Sequence, residues 1–475
     1  MLEKIFKLKQ NNTTVKTEIL AGLTTFMTMA YIIALNPNLL TGFGAEGTKA
    51  LWNGVFLATC IASAVGMFVM AFLANKPFAL APGMGLNSFF AVVVANIVSI
   101  TGLSYVDSFQ AALCIILIEG ILFFILSIFN IRDKIVDAIP YGVRMGISPA
   151  IGLMLLNIGF GSNAGVYSKD GGPFYVMKDF FGALTPGLAK TNMTDGYSSM
   201  VLTVVTMFIG LFVIIILAHK GVNGAVLLVC LQLRSYWAGE AIFFGTNPFA
   251  SLATASFVPQ FKDMADTTLF KFDFKDFISI GWFTAISLII TFCIIDMFDT
   301  IGTLVGTASR AGMVDKEGNM PNMKEALVSD SVATVVGAVT GTSTVTTFVE
   351  SASGVEAGGR TGLTAFTTGI LFLACVFIAP LAAIIPAAAT SSALIYVGIL
   401  MLGGLKKVDF EDLSQVAPVA LMLIAMPISG SIGHGIGLGL ITYTVLKVFT
   451  GKAKEVSILT YAISLLFLVK FFLVV

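Results

Sequence analysis

Residues 341–354 have the sequence GTSTVTTFVESASG, and residues 80–90 have the sequence LAPGMGLNSFF. Both segments are apolar enough to lie in a membrane, yet neither suits an unbroken helix. Pro82 and its neighbouring glycines interrupt the first segment, and the Thr, Val and Phe residues at 344–349 favour extended backbone in the second. Extended backbone at mid-membrane is tolerated only where protein or a cavity covers it. The two segments therefore predict a pair of short facing strands, each followed by a half-helix.

The composition of the whole chain is that of a membrane protein. Of its 475 residues, 57% are hydrophobic and only 11% are charged, with 27 basic and 27 acidic side chains. A soluble fold of this size cannot hide so much apolar surface, so the lipid bilayer is the expected surrounding. An ordinary cytosolic enzyme, a nucleic-acid binder and a disordered chain are excluded. The five cysteines lack Cys-x-x-Cys spacing and only two histidines occur, so we expect neither a disulfide framework nor a His-rich metal site.

Apolar runs predict fourteen spans, seven on each side of a polar stretch at 246–279. The predicted spans are 19–36, 54–74, 80–97, 108–129, 137–159, 198–218, 222–245, 280–306, 324–340, 344–358, 363–385, 388–404, 414–449 and 456–475. An offset of seven spans inverts the second half in the membrane, so the third and tenth spans face each other. A shift of 263 positions places Asn87 opposite Glu350 and Asn36 opposite Asp299. Interrupted spans at corresponding positions of two halves point to the binding site of a transporter.

The distribution of Lys and Arg favours a cytoplasmic N-terminus, because more of these residues then fall in segments on the inside. The basic N-terminal segment has no signal-peptide pattern, so we expect a multi-pass protein of the cytoplasmic (inner) membrane. Two regions are atypical. Residues 414–449 are interrupted by Pro427 and by SGSIGHGIG, so two short arms are expected there and the topology of 414–475 stays open. Residues 230–247 carry charges within a predicted span.

Three carboxylates accompany the interrupted spans. Asp296 and Asp299 share one face of the eighth span, and Glu350 stands at the start of the tenth. Acids inside a membrane are costly and mark functional sites. Together with Asn87 they could bind a hard metal ion, but the Thr- and Ser-rich strands favour hydrogen bonding to an organic substrate. A carboxylate accepts two hydrogen bonds side by side, which fits the N–H donors on the Watson–Crick edge of guanine or hypoxanthine.

Other intramembrane charges have a simpler interpretation. Glu119 and Asp330 are single acids, for which we expect a buried hydrogen bond to a neighbouring helix or a place at a helix end. Glu356 and Arg360, four positions apart, predict a salt bridge at a helix end. Any buried carboxylate can also carry a proton. Which acid does so stays open.

Four motifs carry a resemblance to a known family: GLTTFMTMAYIIALNP at 22–37, APGMGLNSFF at 81–90, DMFDTIGTLVG at 296–306 and GTSTVTTFVESASGVEAGGRTGLTA at 341–365. The chain resembles the purine nucleobase permeases of the nucleobase–cation symporter (xanthine/uracil permease) class, in their AzgA-like hypoxanthine/guanine/adenine branch. The resemblance implies an all-α polytopic fold of two inverted seven-span repeats, with short antiparallel strands in spans 3 and 10. It also implies a core domain formed by 1–136 and 280–387 and a gate domain formed by 137–279 and 388–475.

The resemblance implies a base held between the two strands. Asp296 and Glu350 would bind it, Asn87 and Asp299 would support it or couple it to a proton, and Thr347 and Phe348 would complete the contact. Phe348, Phe89 and Phe298 are the candidates for an aromatic wall. The expected function is import of hypoxanthine, guanine or adenine by proton symport with alternating access, without a cofactor. Sodium in place of the proton, and a homodimer, stay open.

Two other functions fit the sequence less well. An anion transporter of the same fold is disfavoured by three acids at the centre. An intramembrane aspartyl protease needs two carboxylates on facing helices and usually a Gly-x-Gly-Asp string, whereas Asp296 and Asp299 share one helix and the sequence has no such string. The chain also lacks the Gly-x-x-x-x-Gly-Lys-Ser/Thr motif, so direct use of ATP is not expected.

Overall fold

The computed structural model describes residues 2–42, 45, 47–129, 139–161, 166, 180–187, 197–222, 256–310, 313, 320–383, 385, 387–429 and 432–473. These residues are mostly helical. Ten of their helical segments are long and apolar enough to cross a membrane, when Val15–Leu40 and Gly362–Ala383 are each counted as one segment, and two apolar helices are shorter. A total of fourteen spans stays a prediction, and the atypical stretch 230–247 lies outside the described residues.

The first half of the chain contains long and short helices and one very short strand. Its elements are α1 (Leu2–Phe6), α2 (Val15–Met29), α3 (Ile32–Leu40), α4 (Lys49–Val69), β1 (Leu80–Pro82), α5 (Met84–Thr101), α6 (Tyr105–Ile128), α7 (Tyr141–Phe160), α8 (Phe180–Ala183) and α9 (Tyr197–His219). A π-helical turn, Met70–Ala74, extends α4, and Asn75 then reverses the chain in the left-handed conformation. This turn directs the chain into β1.

The second half contains the partner strand. Its elements are α10 (Phe261–Thr267), α11 (Phe274–Ser279), α12 (Trp282–Arg310), α13 (Met323–Thr340), β2 (Val345–Thr347), α14 (Ser351–Glu356), α15 (Gly362–Ala374), α16 (Ala379–Ala383), α17 (Ala387–Met401), α18 (Leu413–Ser429), α19 (Ile432–Phe449) and α20 (Ile458–Leu473). Residues 414–449 thus form two helices, as the Pro- and Gly-rich interruption predicts.

The chain divides into two compact units. Unit 1 comprises Met1–Ala138, Phe257–Ala379 and Val469–Val475, and unit 2 comprises Ile139–Ser256 and Pro380–Leu468. The segment 257–279, which the sequence assigns to the gate domain, belongs to unit 1, where Asn53 Nδ2 donates to Asp263 Oδ2 at 2.6 Å. Core and gate as bodies that move against each other stay a prediction.

The first span is broken where the sequence predicts a continuous helix. α2 ends at Met29 and α3 begins at Ile32, with the buried Tyr31 between them. Near the break, the hydroxyl of Thr28 donates to the carbonyl of Thr25 at 2.8 Å, a local bond that bends helices. The N–H groups of Ile33 and Ala34 then bond to carbonyls three residues back, as in a tightened 3₁₀ turn. The break gives Tyr31 a position at the candidate site.

Glu18 ties α2 to the turn before α15. Its buried carboxylate accepts the N–H of Arg360 at 2.9 Å, the N–H of Thr361 at 3.2 Å and the hydroxyl of Thr364 at 2.6 Å. These donors lie at the N-terminus of α15, where a negative charge is also favoured by the helix dipole. The sequence gives no local sign of this role, because Glu18 is part of a polar segment that resembles a cytoplasmic lead-in.

We expect Glu18→Gln to lower the thermal unfolding temperature of the purified protein. Oε1 accepts one of these donors and Oε2 accepts two, so the NH₂ group of a glutamine would face at least one of them, and a lost hydrogen bond to a charged group is worth about 1.5–3 kcal/mol. A thermal shift measured by fluorescence-detected size exclusion checks this. Glu411→Gln is the matched control, because Glu411 is exposed. Equal unfolding temperatures for Glu18→Gln and Glu411→Gln would contradict the role of Glu18.

Candidate functional site

The two short strands pair in antiparallel register, as the sequence predicts. Leu80 lies opposite Thr347, Ala81 opposite Thr346 and Pro82 opposite Val345. The ladder is extended by bonds from Gly83 N to Thr344 O at 3.1 Å and from Phe348 N to Ala79 O at 2.9 Å. All six strand residues are buried, so the strands satisfy each other's backbone groups inside the protein. Antiparallel pairing is the direction that corresponding segments of inverted repeats require.

Each strand leads into a helix that begins in the interior of unit 1. α5 begins at Met84 after the extended Gly83, and α14 begins at Ser351 after Glu350. Gly83 is needed for close approach, because a Cβ there would lie 2.6 Å from Thr346 Cγ2. The same Cβ position lies 3.6 Å from Asp299 Oδ2, which places this carboxylate beside the end of β1. Strand ends, helix starts and a carboxylate therefore meet at one point.

Asp330 holds β2 to α13. Its Oδ1 accepts the N–H of Thr347 at 2.9 Å, the hydroxyl of Thr347 at 3.1 Å and the hydroxyl of Thr346 at 3.3 Å. The buried hydrogen bond to a neighbouring helix that was expected for Asp330 is present, because Thr300 on α12 donates to Asp330 Oδ2 at 2.8 Å, and the bonds from the strand are additional. Thr347, expected to contact a substrate, donates its N–H and its hydroxyl to this carboxylate. It therefore anchors the strand.

Thr300 connects Asp330 to Asp296. The hydroxyl oxygen of Thr300 lies 2.8 Å from Asp330 Oδ2, 3.1 Å from Asp296 Oδ1 and 2.7 Å from Thr346 Oγ1. Thr300 follows Asp296 by one helical turn on α12, so both side chains face β2. Sequence reasoning missed Thr300. A polar side chain one turn after an intramembrane acid is the signal that could have found it.

Glu350 is positioned by the break in the first span. The Tyr31 hydroxyl donates to Glu350 Oε1 at 2.8 Å. Tyr31 is 319 positions away in sequence, so no local pattern predicts the contact. The bond occupies one of the two carboxylate oxygens and fixes the direction of the other. Glu350 lies at the start of α14, as expected.

The segment before β2 is fixed by buried polar side chains. Asn87 on α5 donates to Pro82 O at 3.0 Å and accepts the hydroxyl of Ser343. Thr344 donates to Glu119 Oε2 at 2.9 Å, so Glu119 too bonds to the strand segment. Asn36, which aligns with Asp299 when the first half is shifted by 263 positions, donates from Nδ2 to Thr342 Oγ1 at 2.9 Å.

A further Asn36 bond, from Nδ2 to Thr59 Oγ1 at 2.8 Å, ties this segment to α4.

The aromatic candidates differ in their surroundings. Phe348 is buried directly after β2, and Phe89 packs against Phe292 with ring centroids 4.6 Å apart. The side chain of Phe298 lies outside the described ones.

Arg360 caps the half-helix after Glu350. Its guanidinium donates to the carbonyl oxygens of Val355 at 2.6 Å and Gly359 at 2.7 Å. α14 ends at Glu356, so Arg360 lies just beyond the helix end. The cation satisfies carbonyl groups at the C-terminus of α14, where positive charge is favoured, and the salt bridge with Glu356 stays a prediction.

Comparison with known proteins decides the family. A family model described as the Permease family matches residues 16–433. The chain belongs to the Permease family. Adenine permease AdeP of Escherichia coli strain K12 is 37% identical over 472 residues, which cover 99% of this chain and 96% of that protein. Guanine/hypoxanthine permease PbuO of Bacillus subtilis strain 168 is 36% identical over 473 residues, covering 99% of the chain and 100% of that protein.

A solved structure shows the same fold. The transmembrane domain of the cyanobacterial bicarbonate transporter BicA matches with a TM-score of 0.60 and 16% identity, covering 88% of the permease and 97% of that domain. This likeness concerns the fold alone. The permease is thus a multi-pass membrane protein of a transporter family, and it is not an enzyme.

Proposed function

We propose that this permease imports purine nucleobases, namely hypoxanthine, guanine or adenine, across the cytoplasmic membrane. The observation that carries the proposal is the pair of carboxylates placed around β2. Asp296 lies beside the strand through Thr300, and Glu350 follows it with one oxygen held by Tyr31. The names of AdeP and PbuO support a purine as the substrate.

In this proposal the base lies where β1 and β2 end and the half-helices begin. Asp296 and Glu350 accept hydrogen bonds from its ring and exocyclic N–H groups, in the geometry that a carboxylate offers to adjacent donors. Asn87 and Asp299 support the base or the coupled proton, while Thr347 and Phe348 line the contact. Buried acceptors select strongly for a ligand that carries matching donors, because unmatched polar groups in the site would be left unpaired.

The proposed mechanism is symport with a proton and alternating access between a core and a gate domain. The N-terminus lies in the cytoplasm in this arrangement. Four acids of unit 1 support proton binding: Glu119 and Asp330 bond to the strand segment, Glu350 to Tyr31, and Asp296 to Thr300. Sodium coupling and a homodimer are the alternatives that experiment must separate.

Uptake of radiolabelled hypoxanthine, guanine and adenine in a host lacking purine uptake tests the proposal. We expect saturable uptake of at least one purine, which a protonophore abolishes. Uptake that depends on external sodium and resists the protonophore would replace the proton by Na⁺. No uptake of any purine, or uptake of bicarbonate instead, would overturn the assignment and favour the anion transporter that the shared fold permits.

A further inference from the structure

Four buried side chains form a small cluster of oxygen atoms beside β2. Thr300, Asp296, Asp330 and Thr346 are each at most 1% exposed. The Thr300 hydroxyl oxygen lies at the centre, 2.7 Å from Thr346 Oγ1, 2.8 Å from Asp330 Oδ2 and 3.1 Å from Asp296 Oδ1. Every one of these separations is within hydrogen-bond range. Each of these three oxygen–oxygen contacts therefore needs a hydrogen between its two atoms. Without one, the lone pairs of two buried oxygens would face and repel each other.

The available hydrogens are one too few when both acids are ionised. A threonine hydroxyl has one hydrogen, and an ionised carboxylate has none. The hydrogen of Thr346 can fill its 2.7 Å contact with Thr300, and it is then not available for the longer 3.3 Å contact with Asp330 Oδ1. The single hydrogen of Thr300 then fills the contact with Asp330 or the contact with Asp296, and the other contact stays empty. A hydroxyl oxygen can accept two hydrogen bonds, so one additional proton on either carboxyl completes all three contacts.

We propose that Thr300 relays this proton between Asp296 and Asp330. In one arrangement Asp296 carries the proton on Oδ1 and donates to Thr300, whose own hydrogen points to Asp330 Oδ2. Transfer breaks the O–H bond of Asp296 and forms one on Thr300, while the original O–H bond of Thr300 breaks and one forms on Asp330. The number of protons and the charge of the cluster do not change. The relay rests on the proposed function, because it delivers the proton to Asp296, the residue to which that function assigns the binding of the base.

The relay connects the proton to the shape of the site. Asp330 accepts the N–H and the hydroxyl of Thr347 in β2, and hydrogen bonds to an ionised acceptor are roughly twice as strong as neutral ones. A proton on Asp330 therefore loosens β2, whereas a proton on Asp296 leaves Asp330 charged and β2 tightly held. Glu350 lies three residues after the end of β2, so the same shift reaches the proposed base ligand.

Two transport measurements on purified protein in proteoliposomes test the relay. The first is concentrative uptake of labelled hypoxanthine driven by an inward proton gradient. The second is counterflow, in which internal unlabelled base exchanges for external labelled base without net proton transfer. We expect Thr300→Val to lower concentrative uptake by about tenfold or more while counterflow persists, because valine keeps the shape but removes the hydroxyl. Thr300→Ser should restore concentrative uptake.

Thr291→Val is the matched control. Thr291 is buried on the same helix, and its hydroxyl donates only to the carbonyl of Ser287 at 2.7 Å. Wild-type accumulation by Thr300→Val would overturn the relay. Equal loss of accumulation and counterflow in Thr300→Val, with no recovery in Thr300→Ser, would also overturn it, because Thr300 would then act in binding or packing.

Infrared spectroscopy tests the shared proton without any purine, so it separates failure of the relay from failure of the proposed function. A protonated carboxyl has a C=O stretch distinct from the carboxylate bands. We expect one such band in the wild type that changes in Asp296→Asn, in Asp330→Asn and in Thr300→Val. No protonated band in the wild type would overturn the relay, and so would a band that responds to only one of the two acids.

Discussion

Glu350→Gln is expected to abolish hypoxanthine uptake while the protein remains in the membrane. The carboxylate offers two acceptor oxygens, one of which already takes the hydroxyl of Tyr31 at 2.8 Å. A glutamine replaces one oxygen by an NH₂ group, so a donor faces either Tyr31 or the N–H edge of the base. An unsatisfied buried donor costs about 1–3 kcal/mol and a lost bond to a charged group about 1.5–3 kcal/mol, which together predict a loss of about 100-fold or more.

Initial rates of labelled hypoxanthine uptake, divided by the amount of permease in the membrane, measure this effect. Glu411→Gln provides the same chemical change at an exposed position of unit 2 and should transport like the wild type. Asp296→Asn should lose uptake as Glu350→Gln does. Normal uptake by Glu350→Gln would remove this residue from the site and with it the proposed mode of base recognition.

Gly362→Ala is expected to prevent stable folding. Gly362 begins α15 against the backbone of Ala71, and its N–H donates to Asn75 Oδ1 at 2.8 Å. A Cβ at this position would overlap the Ala71 carbonyl oxygen and would lie 2.7 Å from Ala71 Cα. A flexible side chain could move aside, but a buried backbone cannot without separating α15 from the turn that precedes β1. Overpacking typically costs 1–3 kcal/mol, and a clash with backbone lies at or above the upper end of this range.

The amount of monodisperse protein in fluorescence-detected size exclusion measures the effect of Gly362→Ala. Gly403→Ala is the control, because a Cβ on Gly403 meets no atom within 4 Å. We expect little or no folded Gly362→Ala protein and wild-type yield for Gly403→Ala. Equal yields would show that α15 and the Ala71 turn tolerate separation, contrary to the close approach in the structure.

The sequence predicts the pairing of β1 and β2 because the residues that indicate it lie within the strands themselves or next to them. Pro82 and Gly83 exclude a helix, Val345 to Thr347 favour extended backbone, and a pair of such breaks in a membrane must cover its own backbone groups. The acids Asp296 and Glu350 stand out for a similar reason, since a charge within an apolar run is conspicuous. These features need no knowledge of distant partners.

The contacts that complete the site are long-range and escape such reasoning. Tyr31 and Glu350 are 319 positions apart, and Thr300 and Thr346 are 46 apart. A tyrosine or threonine in an apolar run is unremarkable until its partner is known. The break at Tyr31 was missed because its causes are local hydroxyl bonds and a tightened turn rather than a proline at that point. Glu18 was missed because its partners are backbone N–H groups, which no sequence pattern displays.

Equilibrium binding of labelled hypoxanthine to the purified permease tests the central claim most directly, because binding needs neither a gradient nor a conformational cycle. We expect saturable binding of hypoxanthine that adenine or guanine displaces and bicarbonate does not. Glu411→Gln should retain this binding, and Glu350→Gln should lose it. Absence of saturable binding for every purine, or undiminished binding by Glu350→Gln, would contradict the claim that a purine is held where the two strands meet.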